Sequence, residues 1–368
     1  MIIFGFHFIK ITDPATGQEF SSNPVYVSTE KPVCRIFWGD PHWQTIFSDG
    51  VRSPEELYGF ARDEAFLDFG AISDHMEAVT QRQWEYFQAV TNDYNEPGRF
   101  ATLVGQEWTH NQHGHRNIYY RGDNGPLVSS KDPDSDTLEK LWQTADKIAS
   151  TGNEVLLIPH HSANKIMGCD WALGWNPKYE KALEIYSCWG SSECHKDDGN
   201  TRPIHHCQGE IAGRHARSAL DLGYRFGFVG GGDIHDGRPG DCLDGHSNVV
   251  YQSGLTAVIT PELTRENVFD AIKQHQCYAA TCSRIYLEVW LEQNELAVKC
   301  ASEHGLEAAE VIRNGKAVGC ISPGTDARVI ETSLKVPALS GNEYLYVRAT
   351  TKKGDIAWCS PGFANGEK

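Results

Sequence analysis

Only three methionines occur in the 368 residues, and no apolar run nears the roughly 20 residues that cross a bilayer, which excludes a bundle of membrane helices. Basic residues are scarce as well: 33 Lys and Arg stand against 49 Asp and Glu, a formal net charge of −16. Non-specific affinity for nucleic acid comes from neutralising phosphates with Lys and Arg, so no nucleic-acid partner is expected. The eleven cysteines are odd in number and share no repeated spacing. A disulfide framework belongs mainly to short secreted chains, so most of these thiols are expected to be reduced, buried, small apolar residues. Residues 1–14 lack a basic n-region and a small-residue cleavage site, so they read as a strand and not as a signal peptide, and the cytoplasm is the expected compartment. Internal repeats and low-complexity tracts are missing too.

What the sequence does have is apolar mass, 40% hydrophobic and 11% aromatic residues, enough for a sizeable core. The length suits an α/β barrel with an appendage. Residues 1–33 read as an N-terminal β segment with a turn at Asp13-Pro14-Ala15-Thr16-Gly17. Between residues 34 and 285, strand-like runs at 35–38, 69–72, 101–104, 155–158, 182–185 and 227–230 alternate with helical patterns at 53–64, 81–93, 137–150, 214–222 and 264–275. Ser53-Pro54-Glu55-Glu56 carries the signature of a capping box with proline in the first turn. Strand-then-helix repetition implies parallel strands, in an open α/β sheet or a barrel. From 286 to 368 the texture changes to alternating segments, with Asn314-Gly315 as a hairpin signal, so a C-terminal β domain is expected there, with the N-terminal strands as its candidate packing partner.

Nearly every predicted strand ends in a potential metal ligand. The first runs into Asp40-Pro41-His42-Trp43-Gln44 and then Ser48-Asp49-Gly50, the second into Ser73-Asp74-His75, and the third into Gln106-Glu107-Trp108. The fourth ends at His160-His161, the fifth at Ser187-Cys188 and the sixth at Gly232-Asp233-Ile234-His235. One such residue is ordinarily a helix cap or a satisfied polar group. Six in chain order are hard to assign to capping, because carboxyl ends of parallel strands face one way and gather catalytic residues. A mixed His and carboxylate set suits zinc, manganese or iron. Gly230-Gly231-Gly232 lacks the pattern of a phosphate loop and reads as a place where backbone approaches the cluster.

In this order and spacing the residues resemble the polymerase-and-histidinol-phosphatase (PHP) superfamily. Gly39-Asp40-Pro41-His42-Trp43-Gln44-Thr45 through Asp49 is similar to its first motif, Ser73-Asp74-His75 to the second, Ile158-Pro159-His160 to the third and Gly232-Asp233-Ile234-His235 to the fourth. The resemblance spans about residues 34 to 285. It is nearest to a bacterial branch with β segments on both sides, in which His115-Arg116-Asn117 and Glu184-Ile185-Tyr186-Ser187 also have counterparts. It implies an α/β fold, a distorted, TIM-like (β/α)7 barrel with a small antiparallel β unit formed by the chain termini. It further implies two or three divalent ions held by His42, Asp49, His75, Glu107, His160, Asp233 and His235, with Glu107 as the bridge. Cys188 stands where relatives supply a further ligand; a thiolate there would favour zinc, and a buried structural cysteine is the alternative. The first motif ordinarily reads His-x-His, and here Gln44 replaces the second histidine with an amide, which lowers affinity at one ion position.

The expected reaction is hydrolysis of a small phosphate mono- or diester by a metal-bridging hydroxide. Glu107, Asp233 and His235 are the expected catalytic groups, with Asp233 or His235 delivering a proton to the leaving group. Arg116, Arg238 and His115 are candidates for holding a small anionic substrate. The alternatives are a metal-dependent hydrolase of an amide, lactone or carboxylic ester, and a catalytically degenerate barrel that binds a ligand. Tryptophans 43, 108, 171, 175 and 189 suggest an aromatic-walled pocket, though core packing explains them as readily. No membrane partner is expected, and no motif specifies an oligomeric state.

Overall fold

The computed structural model describes residues 4–241, 251–292 and 294–364; residues 1–3 of the expected opening strand lie outside them. Strands β1 (Gly5–His7), β2 (Lys10–Thr12), β3 (Glu19–Ser21) and β4 (Val25–Val27) form two antiparallel ribbons, β1 with β4 and β2 with β3. The turn between β2 and β3 is the one read at residues 13–17: the Asp13 carboxylate accepts from the Ala15 amide at 2.8 Å and the Thr16 hydroxyl at 2.7 Å. Next come β5 (Arg35–Trp43), α1 (Pro54–Asp63), β6 (Phe69–Ile72), α2 (Gln81–Asp93), β7 (Ala101–Thr102), β8 (Val104–Trp108), β9 (Arg116–Tyr120), α3 (Leu138–Ser150) and β10 (Val155–Pro159). They are followed by β11 (Ala182–Ser187), β12 (Gly190–Ser191), α4 (Ala216–Asp221), β13 (Gly227–Gly230), β14 (Gly254–Thr260), α5 (Arg265–Lys273) and β15 (Cys277–Thr281). The last stretch holds β16 (Tyr286–Glu292), β17 (Glu295–Ala301), β18 (Leu306–Arg313), β19 (Lys316–Ile321), β20 (Val329–Lys335), β21 (Tyr344–Thr351), β22 (Ile356–Cys359) and β23 (Gly362–Phe363).

The helices start where their caps dictate. At α1 the Glu56 amide donates to Ser53 Oγ at 3.3 Å while the Ser53 amide donates back to Glu56 Oε2 at 2.9 Å, so two amides that the helix leaves orphaned are satisfied. Thr80 and Gln83 repeat the arrangement at α2, and Thr137 and Thr264 cap α3 and α5. Leu57, Tyr58, Phe60 and Ala61 bury one face of α1. No described helix is long and apolar enough to cross a membrane.

The expected (β/α)7 barrel is not formed. The structure is 35% strand and 17% helix, and among the described residues its several sheets include none that closes into a barrel. Among the described strands, parallel ladders join β5 with β6, β6 with β7 and β11 with β13, and the other ladders are antiparallel. The reason lies in two strands that interrupt the repeat. A seven-residue loop carries the chain from β8 straight back along β9, so β8, β9 and β10 pair antiparallel, and α3 comes only after that return. Similarly, β14 runs antiparallel to both of its neighbours, β5 and β15. Nor do the termini form one separate antiparallel unit. The largest sheet runs β19-β18-β21-β22-β15-β14-β5-β6-β7, with β23 on β21, so C-terminal strands continue the sheet that begins at β5. The N-terminal ribbons touch the C-terminal strands through side chains, with Phe6 edge-on to Tyr286 at 4.9 Å.

Although the barrel is absent, the strand ends still converge. Trp43 at the end of β5 bridges Ile234, His75 after β6 bridges Glu107 in β8, and the Asp233 amide donates to the His42 carbonyl at 2.9 Å. Trp43 and Trp108 are buried behind this junction, in two apolar clusters.

Candidate metal centre

Glu107, fully buried in β8, is the hub. Its Oε1 lies 2.8 Å from His115 Nδ1, 3.1 Å from His75 Nδ1 and 3.4 Å from His160 Nε2. Its Oε2 lies 3.3 Å from His42 Nε2 and accepts from the Gln44 amide at 2.9 Å. These rings come from β5, the loop just before β9 and the segments after β6 and β10, so four separate stretches of chain meet on one carboxylate.

Behind this ring stand carboxylates that orient it. Glu184, a lone charge within the apolar run of β11, pairs with His42 Nδ1 at 2.9 Å and so turns Nε2 toward Glu107 and toward Asp233 Oδ1, 3.4 Å away. Such an outer carboxylate fixes ring orientation and tautomer in metal-ligating histidines. Asp40 accepts from the amides of Gly232 at 2.6 Å and Gly240 at 3.1 Å and from Ser253 Oγ at 3.1 Å, tying β5 to the loop that carries Asp233. Gly231 is required by close approach, since a Cβ there would stand 2.2 Å from Glu184 Oε2 and 2.8 Å from the His42 Cβ. His161 and Asp233 have left-handed backbone, with φ of 34° and 49°, a strained state for side-chain-bearing residues that concentrates at functional sites.

Three groups have ligand atoms close enough together to hold an ion: His115, His160 and His161; His42, His160 and Asp233; Asp49, His75 and His235. The first two are buried, whereas Asp49 is more than half exposed. Both ring nitrogens of His115 and His160, and Nδ1 of His161, are buried without a hydrogen-bond partner; the close approaches of His115 and His160 to Glu107 are not aligned as hydrogen bonds. Buried polar atoms are otherwise nearly always paired, so these nitrogens fit a cation.

The field inside the cluster is steep. Burial pushes Glu107 upward, yet the surrounding His75, His160 and His115 outweigh it and hold the carboxyl well below its ordinary range. Burial depresses His42, but Glu184, Asp233 and Glu107 raise it well above an ordinary imidazole. His75 is treated the same way and reaches about 10. Burial instead prevails at His160, lowered to about 4, and at Glu184, raised to about 7. Opposed shifts within one pocket are typical of functional sites, and buried ion-pair networks produce them as well.

Of the residues read from sequence, His42, Asp49, His75, Glu107, His160, Asp233 and His235 are brought together here, and His115 joins them at Glu107. Cys188 stays out of all three groups. Its buried thiol donates to the Asp233 carbonyl at 3.3 Å, and burial beside Asp233 and Asp40 holds it well above the ordinary thiol range. Arg116 is not at the cavity. It lies buried with Nε donating to Glu180 Oε1 at 3.1 Å, and its charge is used there. Arg238 donates to Asp241 at 2.7 Å and lines a separate cavity of about 1180 Å³. Gln44 sits beside Glu107 with its Oε1 accepting from Ser48 at 3.2 Å. His161 is read from sequence only as part of a strand end and not in the ligand set, and the orienting roles of Asp40 and Glu184 are not read there at all. The His160-His161 pair and a glutamate inside an apolar strand were the available signals.

A cavity of about 200 Å³ opens over the cluster, lined by Asp49, His75, Asp233 and His235 together with Met167, Trp189 and His206. Among the tryptophans expected to wall it, only Trp189 does so; Trp43, Trp108 and Trp171 are core residues.

The family described as "Protein of unknown function (DUF3604)" matches residues 59–197 and 241–321, more than half of the chain. Uncharacterized proteins of Chlamydia muridarum and Chlamydia trachomatis are each 27% identical over 393 residues, and one of Chlamydia pneumoniae is 27% identical over 389. Each alignment covers 97% of this chain but only 62% of the relative, so the chain spans less than two thirds of their length. A solved two-domain protein from Bacteroides vulgatus, described as containing a predicted PHP-like metal-dependent phosphoesterase, is 14% identical with a TM-score of 0.44, covering 87% of this chain and 88% of that one. A likeness at that level does not bear on the chemistry of this site.

Proposed function

The chain belongs to the DUF3604 family, and from the cluster around Glu107 we propose that it is a metal-dependent hydrolase acting on a small phosphate mono- or diester. One observation carries the reading: four imidazoles surround a single buried carboxylate, and the ring nitrogens of two of them have no protein hydrogen bond. Mixed nitrogen and oxygen donors suit two or three ions of zinc, manganese or iron. His115, His160 and His161 would hold one, His42 and Asp233 with His160 another, and Asp49, His75 and His235 a third. Such ions bring the pKa of water toward neutrality and polarise the bond under attack.

The protein's own part is positioning. Glu184 fixes the His42 ring, and Thr109 Oγ1, 2.7 Å from His75 Nδ1 and 3.1 Å from Glu107 Oε1, fixes a second edge of the cluster. His235 Nδ1 lies 3.1 Å from the Asp233 carbonyl, leaving Nε2 toward Asp49. The apolar floor beneath, Trp43 and Trp108 included, keeps the field strong by excluding water.

One feature favours a second reading. No Lys or Arg lines the cavity among the described residues, which suits an uncharged amide, lactone or carboxylic ester as well as a phosphate neutralised by the ions. The test is a substrate screen of the chain loaded with zinc or manganese, beside the same chain after chelation. Chelation-sensitive turnover of phosphate esters supports the leading reading; turnover of carbonyl esters alone supports the second; binding without turnover refutes both.

A further inference from the structure

The cavity lining contains seven titratable side chains among the described residues, and six of them, Asp49, His75, His115, His161, Asp233 and His235, belong to metal-capable groups. A nitrogen or oxygen that binds an ion must be deprotonated and has no proton to give. His206 is the seventh. Its imidazole lies against the Trp189 ring, centroids 4.2 Å apart and planes at 31°, and Trp189 in turn meets His235 at 5.9 Å. It therefore lines the same cavity as the cluster, next to it through Trp189, and belongs to none of the three metal-capable groups.

Its backbone is held firmly. The His206 carbonyl accepts from the Asn164 side-chain amide and from the Gly209 amide, both at 3.0 Å. The Lys165 amide donates to the Gly209 carbonyl and the Ile211 amide to the Ala163 carbonyl, both at 2.9 Å, stitching this loop to the segment that follows His160 and His161. Directly after His206, Cys207 and Gln208 take left-handed backbone, with φ of 46° and 69°. Consecutive strained residues persist only where surrounding bonds enforce them, and such strain clusters at functional sites.

We propose that His206 is the proton donor to the leaving group, an inference that rests on the hydrolase reading above. Water attacks phosphorus and the P–O bond to the alcohol breaks, its electron pair leaving on the ester oxygen. That oxygen takes the ring proton of His206 and departs as the alcohol. The imidazole regains a proton from solvent, matching the one released by the attacking water, so the sum is one ester and one water giving one alcohol and one phosphate.

A donor of this kind matters only when the leaving group needs it. The test compares the native chain and His206→Asn, both loaded with manganese, on ethyl phosphate and 4-nitrophenyl phosphate, with the ion content of each protein measured alongside. The expected result is unchanged ion content, a loss of about 100-fold or more in kcat on ethyl phosphate, and a change of only a few-fold on 4-nitrophenyl phosphate, whose anion departs unaided. Equal losses on both esters would overturn the assignment, and so would loss of ions from the variant, which would put His206 in the ion shell. If the native loaded chain hydrolyses neither ester, the phosphoesterase reading fails first and this assignment with it.

Discussion

Replacing Glu193 tests how the C-terminal strands support the site. This buried carboxylate, just after β12, accepts at Oε1 from Arg217 at 2.7 Å and Tyr346 at 2.6 Å, and at Oε2 from Arg348 at 2.9 Å and the Trp358 indole at 2.8 Å. It thereby joins the segment carrying Trp189 to α4, β21 and β22. Removing one partner of a buried ion pair costs about 3–5 kcal/mol, because the other charge is left uncompensated. Arg348 keeps Glu310 at 2.7 Å, and Arg217 keeps the Gly315 carbonyl at 3.0 Å, so the low end applies. Glu193→Ala should therefore cost about 3 kcal/mol, or about 6 °C in Tm at roughly 2 °C per kcal/mol for a large domain. Adding Arg217→Met should recover part of the loss by removing the stranded charge. The effect should also depend on pH. Burial raises the Glu193 carboxyl, but Arg348 and Arg217 with the Tyr346 and Trp358 donors outweigh it, so its pKa is lowered. Its stabilisation is thus complete above the ordinary carboxylate range and is lost as pH falls through the lowered value, so native and variant melts should converge in acid. Thermal melts across that range provide the assay. A cost under about 1 kcal/mol at neutral pH, or a gap that widens in acid, would refute the reasoning.

Three other substitutions bear on the site. Gln44→His places a second imidazole beside Glu107 Oε2, where the amide now donates, and should strengthen ion retention against a chelator by about tenfold. Cys188→Ala should leave ion content unchanged and cost about 1 kcal/mol for the thiol packed under Asp233, as read by denaturant melts; loss of an ion would make the cysteine a ligand after all. Arg116→Met should destabilise by about 3–5 kcal/mol by stranding Glu180, with KM for any substrate unchanged in the surviving folded protein, whereas a raised KM would restore Arg116 as an anion holder.

Much of the local structure is written in the sequence. Phe69–Ile72, Gly227–Gly230 and Gln81–Asp93 lie where the pattern puts them, since a four-residue apolar run between turn residues is too short for a helix and suits a buried strand, and Thr80 with Gln83 marks a helix start. The topology is not legible in the same way. Strand β9 reads Arg-Asn-Ile-Tyr-Tyr, too polar at its start to stand out, and the loop before it carries three histidines and no two-residue hairpin signal. Without that return, strand-helix alternation reads as parallel throughout. The cluster was visible because its members sit at strand ends whatever the handedness of pairing. Arg116 misled because its partner Glu180 lies 64 residues away, and His161, although read at a strand end, has nothing to set it apart as a ligand among 16 histidines of equal chemistry.

Elemental analysis of the purified chain, beside a His75→Ala, Asp233→Ala double variant that removes one ligand from each of two groups, tests the central claim most directly. Two or more equivalents of zinc, manganese or iron are expected in the native protein, with a marked loss in the variant; a native chain that stays metal-free after exposure to all three ions would contradict the metal centre.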